Sequence, residues 1–136
     1  MVSVDDVREI ALALPGVTES TGGHTGEATW RLRSGQFAWL RGPSATDRRQ
    51  LDELGREWPA GDVLAVRVAS VEEKEALLAA EPDIVFTIPH FDGYPAVLVP
   101  LEKVAQERVV ELITDAWLTR APARVAKEWL SAHGWE

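Results

Sequence analysis

Apolar residues recur along this chain at two spacings, one helical and one alternating, and the switches between them predict most of its elements. Ser3 stands before an acidic first turn and reads as an N-cap. Val7, Ile10, Ala11 and Leu14 then recur at helical spacing until Pro15-Gly16 stops the run. Residues 17–19 predict a short strand leading into the loop Thr21-Gly22-Gly23-His24-Thr25-Gly26. Alternation takes over next, in two runs at about 28–33 and 36–41 that meet at Ser34-Gly35. A two-residue loop containing glycine between alternating runs predicts a β-hairpin. Folding there pairs Trp30 with Trp39 and Leu32 with Phe37, which places four large apolar side chains on one face. Arg31, Arg33 and Gln36 fall on the other.

Residues 42–62 form a long mixed connection, bracketed by Gly42-Pro43 and Pro59-Ala60-Gly61, with a short helix expected near 49–54. Residues 63–68 alternate as a strand, and Ser70-x-x-Glu73 reads as a capping box opening a helix that ends near Glu81-Pro82. Residues 84–88 and 96–99 read as strands on either side of a turn-rich loop at 89–95. The longest helix is expected over 101–118, with Leu101, Ala105, Val109, Leu112, Ile113 and Ala116 on one stripe. Ala121-Pro122 breaks it, and a last helix over 124–132 stops at Gly134. The expected order is α-β-β-β-β-α-β-β-α-α. Hairpins and few crossovers predict an α+β fold with an antiparallel sheet, as a single domain over 1–136.

The absence of cysteine excludes thiol catalysis, disulfides and thiolate metal sites. No apolar run reaches the ~20 residues that span a bilayer, which sets the expectation of a cytoplasmic protein with no membrane partner. The net charge of −8 is uneven: −3 over residues 1–26, +2 over 27–56, −8 over 57–116 and +1 over 117–136. Reactive groups do not gather in the sequence. The glycine-rich loop at 21–26 is followed by a strand, whereas a phosphate-binding loop needs a helix N-terminus there. His24, His90 and His133 have no partner at metal spacing, and no serine sits in a nucleophile elbow. Glu72, Glu73 and Glu75 read as a solvated face. A non-catalytic protein without cofactor is expected.

Three local sequences and their order carry a family resemblance. These are Ala13-Leu14-Pro15-Gly16-Val17, the hairpin centre Gly35-x-Phe37-Ala38, and Pro89-His90-Phe91-Asp92-Gly93-Tyr94-Pro95 with its following strand and the helix ending Asp115-Ala116-Trp117. Across essentially its whole length the chain resembles the MmcQ/YjbR-like family of small bacterial proteins. The resemblance implies a curved antiparallel sheet packed by helices, similar to secretion-chaperone-like folds, and DNA binding of the kind described under the label "double wing". Gln36 stands where the hairpin commonly carries a basic residue, and Trp117 stands in place of the usual tyrosine.

Backbone binding to nucleic acid needs several cations on one surface. The candidates are Arg31, Arg33, Arg41, Arg48 and Arg49, with Arg120, Arg124 and Lys127 from the other end of the chain. The acidic middle argues for a protein partner instead. A third reading is a small-molecule groove lined by Trp58, His90 and Tyr94. Of six tryptophans, Trp30, Trp39 and Trp117 are expected in the core, whereas Trp58, Trp129 and Trp135 are less constrained.

Overall fold

Ser3 caps the first helix as its place before two aspartates dictates. Its Oγ accepts the Asp6 N–H at 3.1 Å, and the Asp6 carboxylate accepts the Ser3 N–H at 3.0 Å. This helix, α1, spans Val4–Leu12 and buries Val7 and Ala11. The computed structural model describes residues 2–22 and 27–134, so His24, Trp135 and most of the glycine-rich loop lie outside the described residues. Five strands follow one another across a single antiparallel sheet: β1 (Thr18–Gly22), β2 (Glu27–Leu32), β3 (Gly35–Leu40), β4 (Val63–Arg67) and β5 (Ala96–Pro100). Neighbours in sequence are neighbours in space, which confirms the α+β architecture.

The hairpin forms with a different register from the one its alternation implies. Leu32 pairs with Gly35, so the two loop residues are Arg33 and Ser34. Trp30 opposes Ala38 while Arg31 opposes Gln36, which leaves Phe37 as an extra residue, a β-bulge. Passing the bulge reverses the alternation. Phe37 and Ala38 both join Trp30 and Leu32 in one core, and Trp39 turns to the opposite face to meet Phe91 and Tyr94 at ring separations of 6.4 Å. The expected Trp30–Trp39 pair is therefore absent, because a period-two reading assumes that no residue is inserted.

Helices α2 (Ala45–Glu53), α3 (Val71–Ala80), α4 (Gln106–Leu118) and α5 (Ala123–Ala132) complete the domain. The long connection is more ordered than expected: α2 begins at Ala45 because Ser44 and Asp47 form a reciprocal capping box. At α3 only the forward half forms, Ser70 Oγ accepting the Glu73 N–H at 3.1 Å. Residues 84–88 do not make a strand. Pro82 and Pro89 bound them, and Phe86 alone bridges to Leu98, through two 2.9 Å hydrogen bonds. The long helix starts later than Leu101, since the Leu101 backbone is still tied to the sheet by Asp62 and Val2.

Both faces of the sheet carry a core. The first face packs against α1 and α4 through Trp30, Phe37, Leu112, Ile113 and Trp117. The second packs Leu51 of α2 with Ile88, Phe91, Ala65 and Leu98, covering only β3 to β5. This second core takes no residue from β1 or β2, and the half-buried Glu27 of β2 accepts the Gly42 N–H at 2.8 Å. There Thr18 and Ser20 are exposed beside Arg31, which pairs with Thr18 on one side and Gln36 on the other.

Candidate nucleic-acid interface

The hairpin tip is joined to the α4–α5 turn. Ser34 Oγ donates to the Arg120 carbonyl at 2.7 Å, and Arg120 Nε donates to the Gln36 carbonyl at 3.2 Å. The Arg120 guanidinium lies so close over Gly35 that a Cβ there would meet Cζ at 3.0 Å, and the φ of +145° at Gly35 also favours glycine. Ser34 and Arg120 are 86 positions apart, so this contact unites two basic segments far apart in sequence. Helix α5 is held by Trp129, whose ring sits 5.7 Å from that of the buried Trp117. Trp117 is fixed in turn by donating Nε1–H to the Pro15 carbonyl at 3.0 Å. With the apolar side of α5 facing inward, Arg124 and Lys127 are exposed.

The hairpin tip, the α4–α5 turn and α5 together carry Arg31, Arg33, Arg120, Arg124 and Lys127 against one carboxylate, Glu128, which pairs with Arg124 at 3.2 Å. Their net charge is +4, so the rest of this −8 chain carries −12.

The other three arginines lie beyond the far end of β3, roughly 20 Å away for a strand of six residues. Arg41 is committed there. Its Nη2 donates to Asp47 Oδ2 at 2.8 Å, its side chain is 13 % exposed and that of Asp47 is 0 % exposed. Its guanidinium also sits 5.7 Å from the Phe91 ring centre. Burial pushes the Asp47 carboxyl up, but the Ser44 N–H and the Arg41 charge outweigh it and hold the group below its ordinary value. Arg48 and Arg49 are exposed on α2 among Asp52 and Glu53. The eight candidates thus divide into two groups.

Nor do Trp58, His90 and Tyr94 line one groove. Trp58 packs edge-on to Phe86 at 5.7 Å, between shallow hollows of about 330 and 260 Å³. Tyr94 belongs to the aromatic core and accepts a 3.4 Å hydrogen bond from Arg67, while His90 is exposed. The loop bearing His90 and Tyr94 is latched from beneath by the buried Lys74, whose Nζ donates to the Phe91 and Tyr94 carbonyls. Burial lowers the Lys74 ammonium below its usual range, opposed by the charge of Asp92. A larger concavity, about 610 Å³, opens instead between α3 and α4, with Asp115 and Glu73 at its walls. Sequence reasoning missed it, because a gap between two helices has no local signature.

A family model for YjbR matches residues 12–119. An uncharacterized protein of Mycobacterium tuberculosis is 42 % identical over 134 residues, covering 98 % of this chain and 100 % of that protein, and one of Mycobacterium bovis matches equally. Among solved structures, protein DR2400 of Deinococcus radiodurans, a DUF419 domain, superposes with a TM-score of 0.66 at 20 % identity, over 100 % of this chain and 91 % of that one. Among the described residues, no helix is long and apolar enough to cross a membrane.

Proposed function

This chain belongs to the YjbR family, and from that premise we propose that it is a non-catalytic nucleic-acid-binding protein that engages phosphate through the hairpin tip and α5. The observation that carries the reading is the Ser34–Arg120 contact, which brings the hairpin tip bearing Arg33 to the turn that opens the helix of Arg124 and Lys127. Arg120 acts there as a positioning residue, since its guanidinium is spent on the hairpin backbone. Arg31 has neutral cross-strand neighbours, Thr18 and Gln36, and exposed Ser20 lies on the same face. Acids elsewhere are screened at separations beyond ~8 Å at physiological salt. A polyanion that meets the basic pole end-on is attracted, whereas one meeting the opposite side is repelled. The alternative of a protein-docking module has less support. The exposed large apolar residues among those described are Leu12, Leu54 and Val110, and Leu54 lies across the sheet from the other two.

Anisotropy titrations with a labelled duplex and a labelled single strand at low salt test this reading. Arg33→Glu and Lys127→Glu are expected to weaken binding on every sequence, as loss of a phosphate contact does. Arg49→Glu, on α2, is expected to leave it unchanged. Equal losses from all three would show that only net charge matters and would remove the assigned interface.

A further inference from the structure

We infer that the groove between α3 and α4 is a binding site for a small organic cation, an ammonium carried on an apolar body. Its volume of about 610 Å³ falls in the ~300–1,000 Å³ range of small-molecule sites. Val68, Leu77, Leu112 and Leu118 supply an apolar lining, and the charged groups at the walls are Glu73, Asp115, Arg108 and Arg67.

Of the two cations, only Arg108 is paired with carboxylates among the described residues. Arg108 donates from Nε to Glu81 at 3.0 Å, from Nη2 to the second oxygen of the same carboxylate, and from Nη1 to Glu111 at 3.5 Å. Arg67 donates to the neutral Tyr94 hydroxyl and lies 5.6 Å from its ring centre, while its buried Nε has no partner among the described residues. The two carboxylates are not engaged in this way: among the described residues, neither the Glu73 nor the Asp115 side chain accepts a hydrogen bond. Two free carboxylates against the one unpaired charge of Arg67 leave the groove net negative.

Asp115 gives this charge its force. Although its side chain reaches solvent, the walls of the groove withdraw enough water to push its carboxyl above the ordinary value. Arg108 opposes the shift, and Glu111 and Glu73 add to it. An ammonium at Asp115 relieves both the desolvation and the repulsion. An anionic guest meets the Glu73 and Asp115 carboxylates, and a neutral one leaves Asp115 uncompensated. The groove shares no charged residue with the basic pole, so this inference stands whether or not the protein binds nucleic acid.

The test is an amide-resolved NMR titration of the full chain at neutral pH with three probes of one shape: 2-phenylethylamine, 2-phenylethanol and phenylacetate. The amine is expected to give saturable shifts confined to the groove walls and to bind about tenfold tighter than the alcohol, a difference of ~1.4 kcal/mol. Phenylacetate should not saturate. Asp115→Asn should abolish the preference for the amine while leaving the alcohol bound, which also reports that the groove is still folded. Ala76→Trp, which fills the groove without replacing a carboxylate, should exclude both. Equal affinity for amine and alcohol in the wild type, tighter binding of phenylacetate, or no saturable shifts with any probe would overturn the assignment.

Discussion

Asp47 shows how much one side chain can hold in this fold. It caps α2, neutralises Arg41 and is wholly buried. Removing one partner of a buried ion pair strands the other charge, and such losses cost about 3–5 kcal/mol. Asp47→Ala is therefore expected to lower the unfolding free energy by about 3 kcal/mol in urea titrations. Asp47, Glu19 and Glu81 are all held below the ordinary carboxylate value, by Ser44 and Arg41, by Arg8 and by Arg108 respectively. Their contribution is complete above the unfolded range near ~4 and is lost as pH falls through the depressed folded values. A melting series in acid should show that loss, and Asp47→Ala should flatten it. Asp115 has the opposite sign, because its folded value is raised. Asp115→Asn should raise the melting temperature slightly at neutral pH and lose that advantage as the wild-type carboxyl protonates in acid. The Ser3 cap was legible because its signal is local. The role of Asp47 was not: Ser44-x-x-Asp47 was there to be read, but its burial depends on Arg41 from the end of a strand.

Among the elements, the bulge at Phe37 decides the most. It sends Trp39 through the sheet and so creates the second core, with Phe91 and Tyr94. Alternation shows which residues are large and apolar, but register depends on a pairing between strands. The position of the hairpin was therefore legible and its faces were not. Phe37→Ala should cost about 3–5 kcal/mol, as for other buried aromatics cut to alanine. Lys74→Met keeps most of the side-chain volume but removes both bonds to the loop carbonyls of Phe91 and Tyr94. Hydrogen exchange across residues 89–95 should accelerate in that variant more than exchange in β4 or β5. Uniform acceleration would show that Lys74 supports the whole domain and not the loop in particular. Residues 84–88 teach the same lesson as the bulge: a β-rich run flanked by prolines found space for one bridge only.

Across the whole molecule, charge separation distinguishes the functional readings. The basic residues could be listed from the sequence, but their division into two groups at opposite ends of β3, with Arg41 half-buried in an ion pair, follows from the Ser34–Arg120 and Arg41–Asp47 contacts. The α3–α4 groove likewise depends on how two helices splay at the end of the sheet. The measurement that bears most directly on the proposed interface is the salt dependence of duplex binding by the wild-type chain. Engagement of phosphate by Arg31, Arg33, Arg124 and Lys127, the four cations left once Arg120 is spent on the hairpin, predicts non-specific binding near the ~10⁻⁴–10⁻⁶ M range. The logarithm of affinity should then fall linearly with the logarithm of salt concentration, with a slope of about −4. Absence of binding at high micromolar protein in dilute buffer, or an affinity indifferent to added salt, would contradict it.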